Sequence, residues 1–316
     1  MLTIDFINVG YGDAILVRDI DTSFSMLIDC GDVNIGEGGP NSKRISAADF
    51  LMHENIETLD LLVLTHLHLD HSGGLLDMLK SVQVKEFWTN YLPHESMWGK
   101  KVECAAQVSP AADCLLKSLD IYSSALSMME LSGTTIKQID YQSKVKLTSN
   151  LLADIFIELG ALQEKQKKVC DSVFEGIIDE RLINNWDCFI NDTSIRLRLT
   201  YLNKRIELPG DIYAKCWERH EIPSCDIVKI PHHGHSDSMT EKLVDMLNPK
   251  YAVISVSNTR IDDCPSATVL NLLRKKRTQV FFTDSVQIQD IESINQYSVR
   301  FVISKSGQID IERIKQ

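Results

Sequence analysis

Apolar and polar positions alternate or run in short blocks over 2–9, 13–18 and 25–29, separated by Gly-rich or polar turns, which predicts three short strands. Residues 43–53 carry helical spacing and lead into the apolar run 59–64, a buried strand; 73–80 predicts a helix and 85–88 another strand. From about 95 to 190 the pattern changes. Leu115, Leu119, Tyr122, Leu126 and Met129 stand at helical spacing, and Leu151, Ile155, Leu159 and Leu162 repeat it. This predicts a helical insertion over 95–190 whose apolar stripes face a core, with no Pro-, Gly- or Ser-rich linker to set it off. Beyond it, 194–201 and 205–208 predict a hairpin around Leu202-Asn203-Lys204. Strands then alternate with helices through 227–230, 241–247, 251–256, 269–275 and 280–282. No repeat of fixed period is visible.

At 316 residues the simplest count is one domain over 1–316 with the insertion inside it. No apolar run reaches 18 residues, and Met1-Leu2-Thr3-Ile4-Asp5-Phe6 lacks the basic start and apolar core of a signal peptide. The expectation is a cytoplasmic protein without membrane association. Eight cysteines without a Cys-x-x-Cys pair suit thiols in a reducing compartment. Lys plus Arg is 33 against 44 for Asp plus Glu, a net charge of −11 that opposes loose binding to polyanions. The basic run Arg274-Lys275-Lys276-Arg277 ends a predicted helix and reads as a solvated face.

Directly after the strand 59–64 comes Thr65-His66-Leu67-His68-Leu69-Asp70-His71-Ser72-Gly73-Gly74. Imidazole from His66, His68 and His71 and a hard carboxylate from Asp70 fall within six residues, the layout of a dinuclear metal site. The loop also lies past the carboxyl end of a strand, where α/β proteins place ligands. His53 and His220 stand alone and read as structural histidines.

This motif, with the strand before it and the Gly-Gly after it, resembles the metallo-β-lactamase superfamily. Within it, Phe6-Ile7-Asn8-Val9-Gly10-Tyr11-Gly12-Asp13-Ala14-Ile15-Leu16-Val17, Leu27-Ile28-Asp29-Cys30-Gly31, Asn191-Asp192-Thr193-Ser194, Leu208-Pro209-Gly210-Asp211 and Asp226-Ile227-Val228-Lys229-Ile230-Pro231-His232-His233-Gly234 resemble the hydrolase domain of ComEC competence proteins. The resemblance covers most of the chain apart from about 95–190. It implies an α/β fold, a four-layer αββα sandwich carrying the helical insertion. It also implies that His66 and His68 serve one metal and Asp70 and His71 the other, with Asp211 bridging. The Pro-His-His segment is similar to that of bacterial phosphorylcholine esterases, which assigns His233 as a ligand and leaves His232 to stabilise the transition state or protonate the leaving group. Asn191-Asp192 stands where many members have a third histidine, so Asp192 is expected to ligate through oxygen, giving a site more tolerant of manganese. His94 is an alternative ligand. Cys264 replaces a histidine of ComEC-like sequences and is expected beside the ligands rather than among them. Asp284, Asp29 and Asp13 are expected to orient ligands from behind.

Two divalent ions, zinc first and manganese as the alternative, lower the pKa of a bridging water, so the expected nucleophile is a metal-bound hydroxide, with Asp70 counted in the catalytic set alongside His232. The expectation is a metal-dependent hydrolase, a phosphodiesterase or nuclease; a nuclease could use the Arg196, Arg198 and Lys229 region against phosphate. The charge balance favours a small nucleotide or short single strand over long duplex DNA. The alternatives are hydrolysis of another ester (phosphorylcholine ester, thioester or lactone), or a non-catalytic module with a decayed site whose insertion binds a protein partner.

Overall fold

In a computed structural model, residues 1–39, 41–103, 108–259, 264–286, 288 and 295–315 are described. The chain lays down one sheet, then a second, and returns to the first. Strands β1 (Leu2–Ile7), β2 (Ile15–Asp19), β3 (Phe24–Ile28), β4 (Thr58–Leu64), β5 (Gln83–Thr89) and β6 (Thr135–Gln138) open the first sheet. The second holds β7 (Ser143–Lys146), β8 (Leu151–Phe156), β9 (Arg196–Tyr201), β10 (Lys204–Leu208), β11 (Ile227–Lys229), β12 (Tyr251–Ile254) and β13 (Gln279–Phe282). Finally β14 (Ser298–Ile303) and β15 (Ile309–Ile314) return, β14 pairing antiparallel with β1. The spatial orders are β15-β14-β1-β2-β3-β4-β5-β6 and β13-β12-β11-β10-β9-β8-β7.

The helices are α1 (Ala47–His53), α2 (Leu69–Ser72), α3 (Leu75–Ser81), α4 (Pro110–Leu131), α5 (Ala161–Phe174), α6 (Glu180–Ile190), α7 (Ala214–Trp217), α8 (Glu241–Leu247) and α9 (Ala267–Lys275). Strand alternation assigns each face its core. Ile15, Val17, Met26, Ile28, Leu61 and Val63 point inward against Leu197, Leu199, Ile227 and Val253 of the other sheet. The opposite faces pack on helices: Leu62, Leu64 and Phe87 against α1, α3, α4, α5 and α6, and Val228, Ala252 and Ile254 against α7, α8 and α9. Helix, sheet, sheet, helix is the four-layer αββα sandwich expected from the sequence.

Three expectations need correction. The predicted helical insertion over 95–190 does contain α4, with Leu115, Leu119, Tyr122, Leu126 and Met129 buried on one face, but Leu151–Phe156 is a strand. Leu151, Ala153 and Ile155 alternate inward, and a spacing of four satisfies both the helical and the strand period. The segment therefore contributes β6, β7 and β8 to both sheets besides its helices. Second, the helix expected over 73–80 is α3, starting at Leu75, and a separate single turn not expected from the sequence, α2, precedes it with Asp70 and His71. Third, β14 and β15 were not anticipated at all. Among the described residues, no helix is long and apolar enough to cross a membrane.

Candidate metal centre

Parallel pairing of β4 between β3 and β5 delivers the chain at Thr65 to the edge of the sandwich, where Asp29 waits at the end of β3. Asp29 accepts from the Thr65 amide (2.8 Å) and hydroxyl (2.7 Å) and from His71 Nδ1 (2.7 Å). Gly12 lets α2 approach: a Cβ there would overlap the Asp70 carbonyl oxygen, and its φ of +130° is open to glycine.

The hydrogen bonds around each imidazole decide which nitrogen faces inward. His66 Nδ1 meets Thr65 Oγ1 (3.0 Å) and Ser194 Oγ (3.4 Å). Both hydroxyl protons are committed elsewhere, to Asp29 and to the Asn191 carbonyl (2.7 Å). The two oxygens accept from His66 Nδ1–H, which turns the Nε2 lone pair inward, toward His68 Nδ1. His71 donates Nδ1–H to Asp29, and His233 donates Nδ1–H to the Ser255 carbonyl (3.2 Å), so each likewise presents Nε2. His68 is turned the other way: Nε2 lies 3.6 Å from the Asp187 carboxylate, and Nδ1 sits 3.2 Å from His66 Nε2.

Four donor atoms converge beside this pair. Asp211 Oδ2 lies 3.2 Å from His71 Nε2 and 3.3 Å from His233 Nε2, while Asp70 Oδ2 lies 3.0 Å from His233 Nε2 and 4.0 Å from His71 Nε2. Asp70, His71, Asp211 and His233 offer atoms all within 4.8 Å of one another, a separation a single ion can span. Imidazole nitrogen with fixed tautomers and carboxylate oxygen, gathered at one point with His71, Asp211 and His233 buried and Asp70 partly exposed, fit a divalent metal. Electrostatics agree. Burial opposes charge on His71 and His233, but the Asp211 carboxylate outweighs it, raising His71 well above the ordinary range and His233 to about 9. Burial would likewise raise Asp70, yet the neighbouring His71 and His233 hold it well below the carboxylate range. Asp211 is held low chiefly by Lys229 and His233 against its burial. His66 is pushed well below the ordinary imidazole value by burial and by the charges of His71 and His68.

The structure brings His66, His68, Asp70, His71, Asp211 and His233 to one edge, but not Asp192. Asp192 Oδ1 accepts from the Tyr213 amide (3.1 Å), outside the donor cluster. Its neighbour Asn191 is the buried member of the pair, donating to Tyr213 Oη (3.1 Å) and leaving Oδ1 without a hydrogen-bond partner. His232 stands at the rim: its amide donates to Asp211 Oδ1 (2.8 Å), its ring nitrogen Nδ1 meets Asp237 (2.8 Å), and its ring lies near His235 and Tyr213. Both His232 and His233 have left-handed backbones, at φ +47° and +51°, a strained pair that splits their rings between rim and interior. His94 caps a 3-10 turn at the surface, and the Cys264 thiol donates to the His233 carbonyl (2.7 Å).

Asp284 orients no histidine; it binds Ser42, Arg44 and the Asn258 amide, tying two loops together. Arg196, Arg198 and Lys229 form no phosphate-binding surface. Arg198 pairs with Glu207, Arg196 is buried over Phe156, and Lys229 is wholly buried. Lys229 is the functional neighbour that sequence reasoning placed wrongly. Its ammonium bonds Asp211 Oδ1 (2.7 Å) and Asp13, and those carboxylates hold its pKa above the ordinary lysine value despite burial.

Residues 7–110 match the family model of the metallo-beta-lactamase superfamily. Among solved structures, similarity extends to the metallo-beta-lactamase fold protein YhfI from Bacillus subtilis (11% identity, 91% of this chain and 98% of that one, TM-score 0.49). It extends also to Zn(2+)-bound PqqB from Methylobacterium extorquens (10% identity, 90% and 98%, TM-score 0.47). A third is CmlA, a diiron beta-hydroxylase from Streptomyces venezuelae (15% identity, 88% and 52%, TM-score 0.46). No curated protein matches the sequence.

Proposed function

With a metallo-beta-lactamase superfamily domain as premise, we propose that the chain is a metal-dependent hydrolase of phosphodiester bonds, related in its motifs to the ComEC hydrolase domain. The observation that carries this is Asp211, whose Oδ2 lies between His71 and His233 while Oδ1 is held by Lys229 and the His232 amide. A carboxylate so anchored offers one oxygen to be shared. His66 and His68 would hold one ion and Asp70, His71 and His233 the other, with Asp211 between. Divalent metals, when bound, acidify water and neutralise charge on phosphoryl oxygens.

The chain's own groups supply the rest. Asp29, Ser255 and the Thr65 and Ser194 hydroxyls fix the imidazole tautomers. Asp237 holds Nδ1 of His232 at the rim, leaving Nε2 to hand a proton to a departing alkoxide. A net charge of −11 and the commitment of Arg198 and Lys229 to internal ion pairs favour a small diester over a long nucleic acid. Among the described residues, Cys30, Cys114, Cys170, Cys188, Cys216 and Cys225 are thiols outside any disulfide, which favours a reducing, cytoplasmic setting.

The test is elemental analysis of the purified protein, with hydrolysis of bis-p-nitrophenyl phosphate under zinc or manganese. About two metals per chain are expected, and Asp70→Asn should lower turnover by more than the roughly 10–100-fold typical of residues that only orient a ligand. Turnover of a thioester or lactone but no phosphodiester would redirect the substrate class. Neither metal nor turnover would leave a binding module.

A further inference from the structure

Each imidazole of the metal edge turns its outer nitrogen to a partner, and for His68 that partner comes from the segment outside the family match. The outer nitrogens of His66, His71 and His233 meet groups beside strand ends: Thr65 and Ser194, Asp29, and the Ser255 carbonyl. His68 Nε2 instead faces the Asp187 carboxylate of α6 at 3.6 Å, an ion-pair distance. The helix is held firmly where it presents this group. Ile183 and Ile190, about one turn to either side of Asp187, are buried, as is Trp186, and the Ser109 hydroxyl at the start of α4 donates to Asn184 Oδ1 (2.6 Å). Asp187 itself is 43% exposed, so packing does not require it, and among the described residues its one ion pair is with His68.

The other side of the His68 ring shows what the carboxylate does. Nδ1 lies 3.2 Å from His66 Nε2, which carries a lone pair because His66 donates from Nδ1. A neutral His68 has two tautomers. With its proton on Nδ1 it would donate to His66 Nε2, closing both nitrogens to an ion and setting the Nε2 lone pair against a carboxylate. With its proton on Nε2 an N–H faces Asp187, and Nδ1 and His66 Nε2 offer two lone pairs side by side. Adjacent nitrogens on a tetrahedral zinc stand about 3.3 Å apart for the usual bond lengths, close to the separation found here. We infer that Asp187 is a positioning residue of the metal centre: its charge keeps the His68 proton on Nε2, so that Nδ1 is open as the second nitrogen for an ion at His66. The inserted segment thereby acts on the metal edge through a single side chain. The inference rests on the reading above that His66 and His68 hold an ion, and it is independent of the substrate.

The experiment reads metal binding and the ring tautomer rather than turnover. Zinc is titrated into the full-length protein against a chromophoric chelator, and long-range proton–nitrogen spectra of protein labelled with ¹⁵N-histidine show which ring nitrogen carries the proton. The His68 signals are assigned by their loss in His68→Gln. The parent should take up about two zinc ions with His68 protonated on Nε2. In Asp187→Ala the affinity for one of the two should fall on the order of tenfold or more, within the roughly 10–100-fold typical of residues that orient a ligand, while the other ion binds as before. In the metal-free variant His68 should move toward the Nδ1–H form. Asp187→Glu, which keeps a carboxylate on a longer arm, should restore much of the affinity. Alanine is a better helix former than aspartate, so the melting temperature of the metal-free variant should not fall. Unchanged zinc affinity with His68 still protonated on Nε2 in Asp187→Ala would overturn the role of Asp187 alone. An equal loss at both ions together with a lower melting temperature would also overturn it, marking a packing effect of α6. A parent that takes up one ion and keeps the His68 proton on Nδ1 would overturn the assignment of an ion to His66 and His68, and this role with it.

Discussion

Lys229 is a cation enclosed with two carboxylates at the back of the metal centre, and it decides which oxygen of Asp211 is free. Asp13 and Asp211 are themselves buried; Lys229 meets Asp13 through Oδ2, and Asp13 Oδ1 has no hydrogen-bond partner. Removing one partner of such a cluster leaves uncompensated buried charge, which typically costs about 3–5 kcal/mol. Lys229→Met is accordingly expected to lower the stability of the metal-free protein by about that much in urea unfolding. Adding Asp13→Asn, which removes one of the stranded charges, should recover a substantial part. If the single variant were as stable as the parent, the ammonium would not be compensating Asp13 and Asp211. The histidines of this centre were legible because they are contiguous and chemically unmistakable. Lys229 was not, because its partners come from β1's far loop and from the end of β10, and nothing local in Val228-Lys229-Ile230 marks the lysine as turned inward. The Asn191-Asp192 pair failed for a related reason: residue type favoured Asp192 as ligand, while the backbone turned it toward Tyr213.

At the scale of elements, the centre depends on how closely the turn carrying Asp70 and His71 can lie against the strands. The Gly74 amide donates to the Gly31 carbonyl (3.0 Å), and a Cβ on Gly74 would overlap the Cys30 carbonyl oxygen. Its φ of −77° is one that alanine adopts freely, so the objection is spatial alone. Gly74→Ala must push α2 and α3 off the sheet, with an expected loss at or above the about 1–3 kcal/mol of ordinary overpacking. Thermal unfolding reads the loss, and reduced metal content reads the displacement of Asp70 and His71; unchanged metal content would mean that the turn adapts without moving its ligands. Element boundaries in this half were readable from pattern because each strand is bounded by turn residues. The segment 151–156 was not: its large apolar residues fall four apart, and only the small Ala153 between them reveals the strand period. Strands β14 and β15 pair locally as a hairpin, but β14 also pairs with β1 from the other end of the sequence, and no short-range signal announced that closure of the first sheet.

For the whole molecule, that closure is reinforced by an ion network joining β1 to β14. Arg300 on β14 binds Asp5 on β1 (2.7 Å) and Glu54 at the end of α1 (2.8 Å), and Arg18 on β2 also reaches Glu54 (2.7 Å). Burial alone would raise the Glu54 carboxyl, but Arg300 and then Arg18 outweigh it and leave its pKa below the ordinary value of 4.5. A carboxyl depressed in the folded state binds fewer protons folded than unfolded in that window, so it contributes stability above the unfolded value and loses it as pH falls through the folded one. Asp5 works against this trend, since burial outweighs its arginines and raises its pKa. Replacing Glu54 isolates the depressed member. Glu54→Gln should cost about 1.5–3 kcal/mol at neutral pH, the scale of charge-assisted hydrogen bonds, toward the lower end because the side chain is partly solvated. Urea unfolding across pH should show the gap between variant and parent fully open above the ordinary carboxylate range and closing as pH falls below it. A gap that stayed constant with pH would mean that packing of the side chain, rather than its charge, holds the chain's last strands to its first.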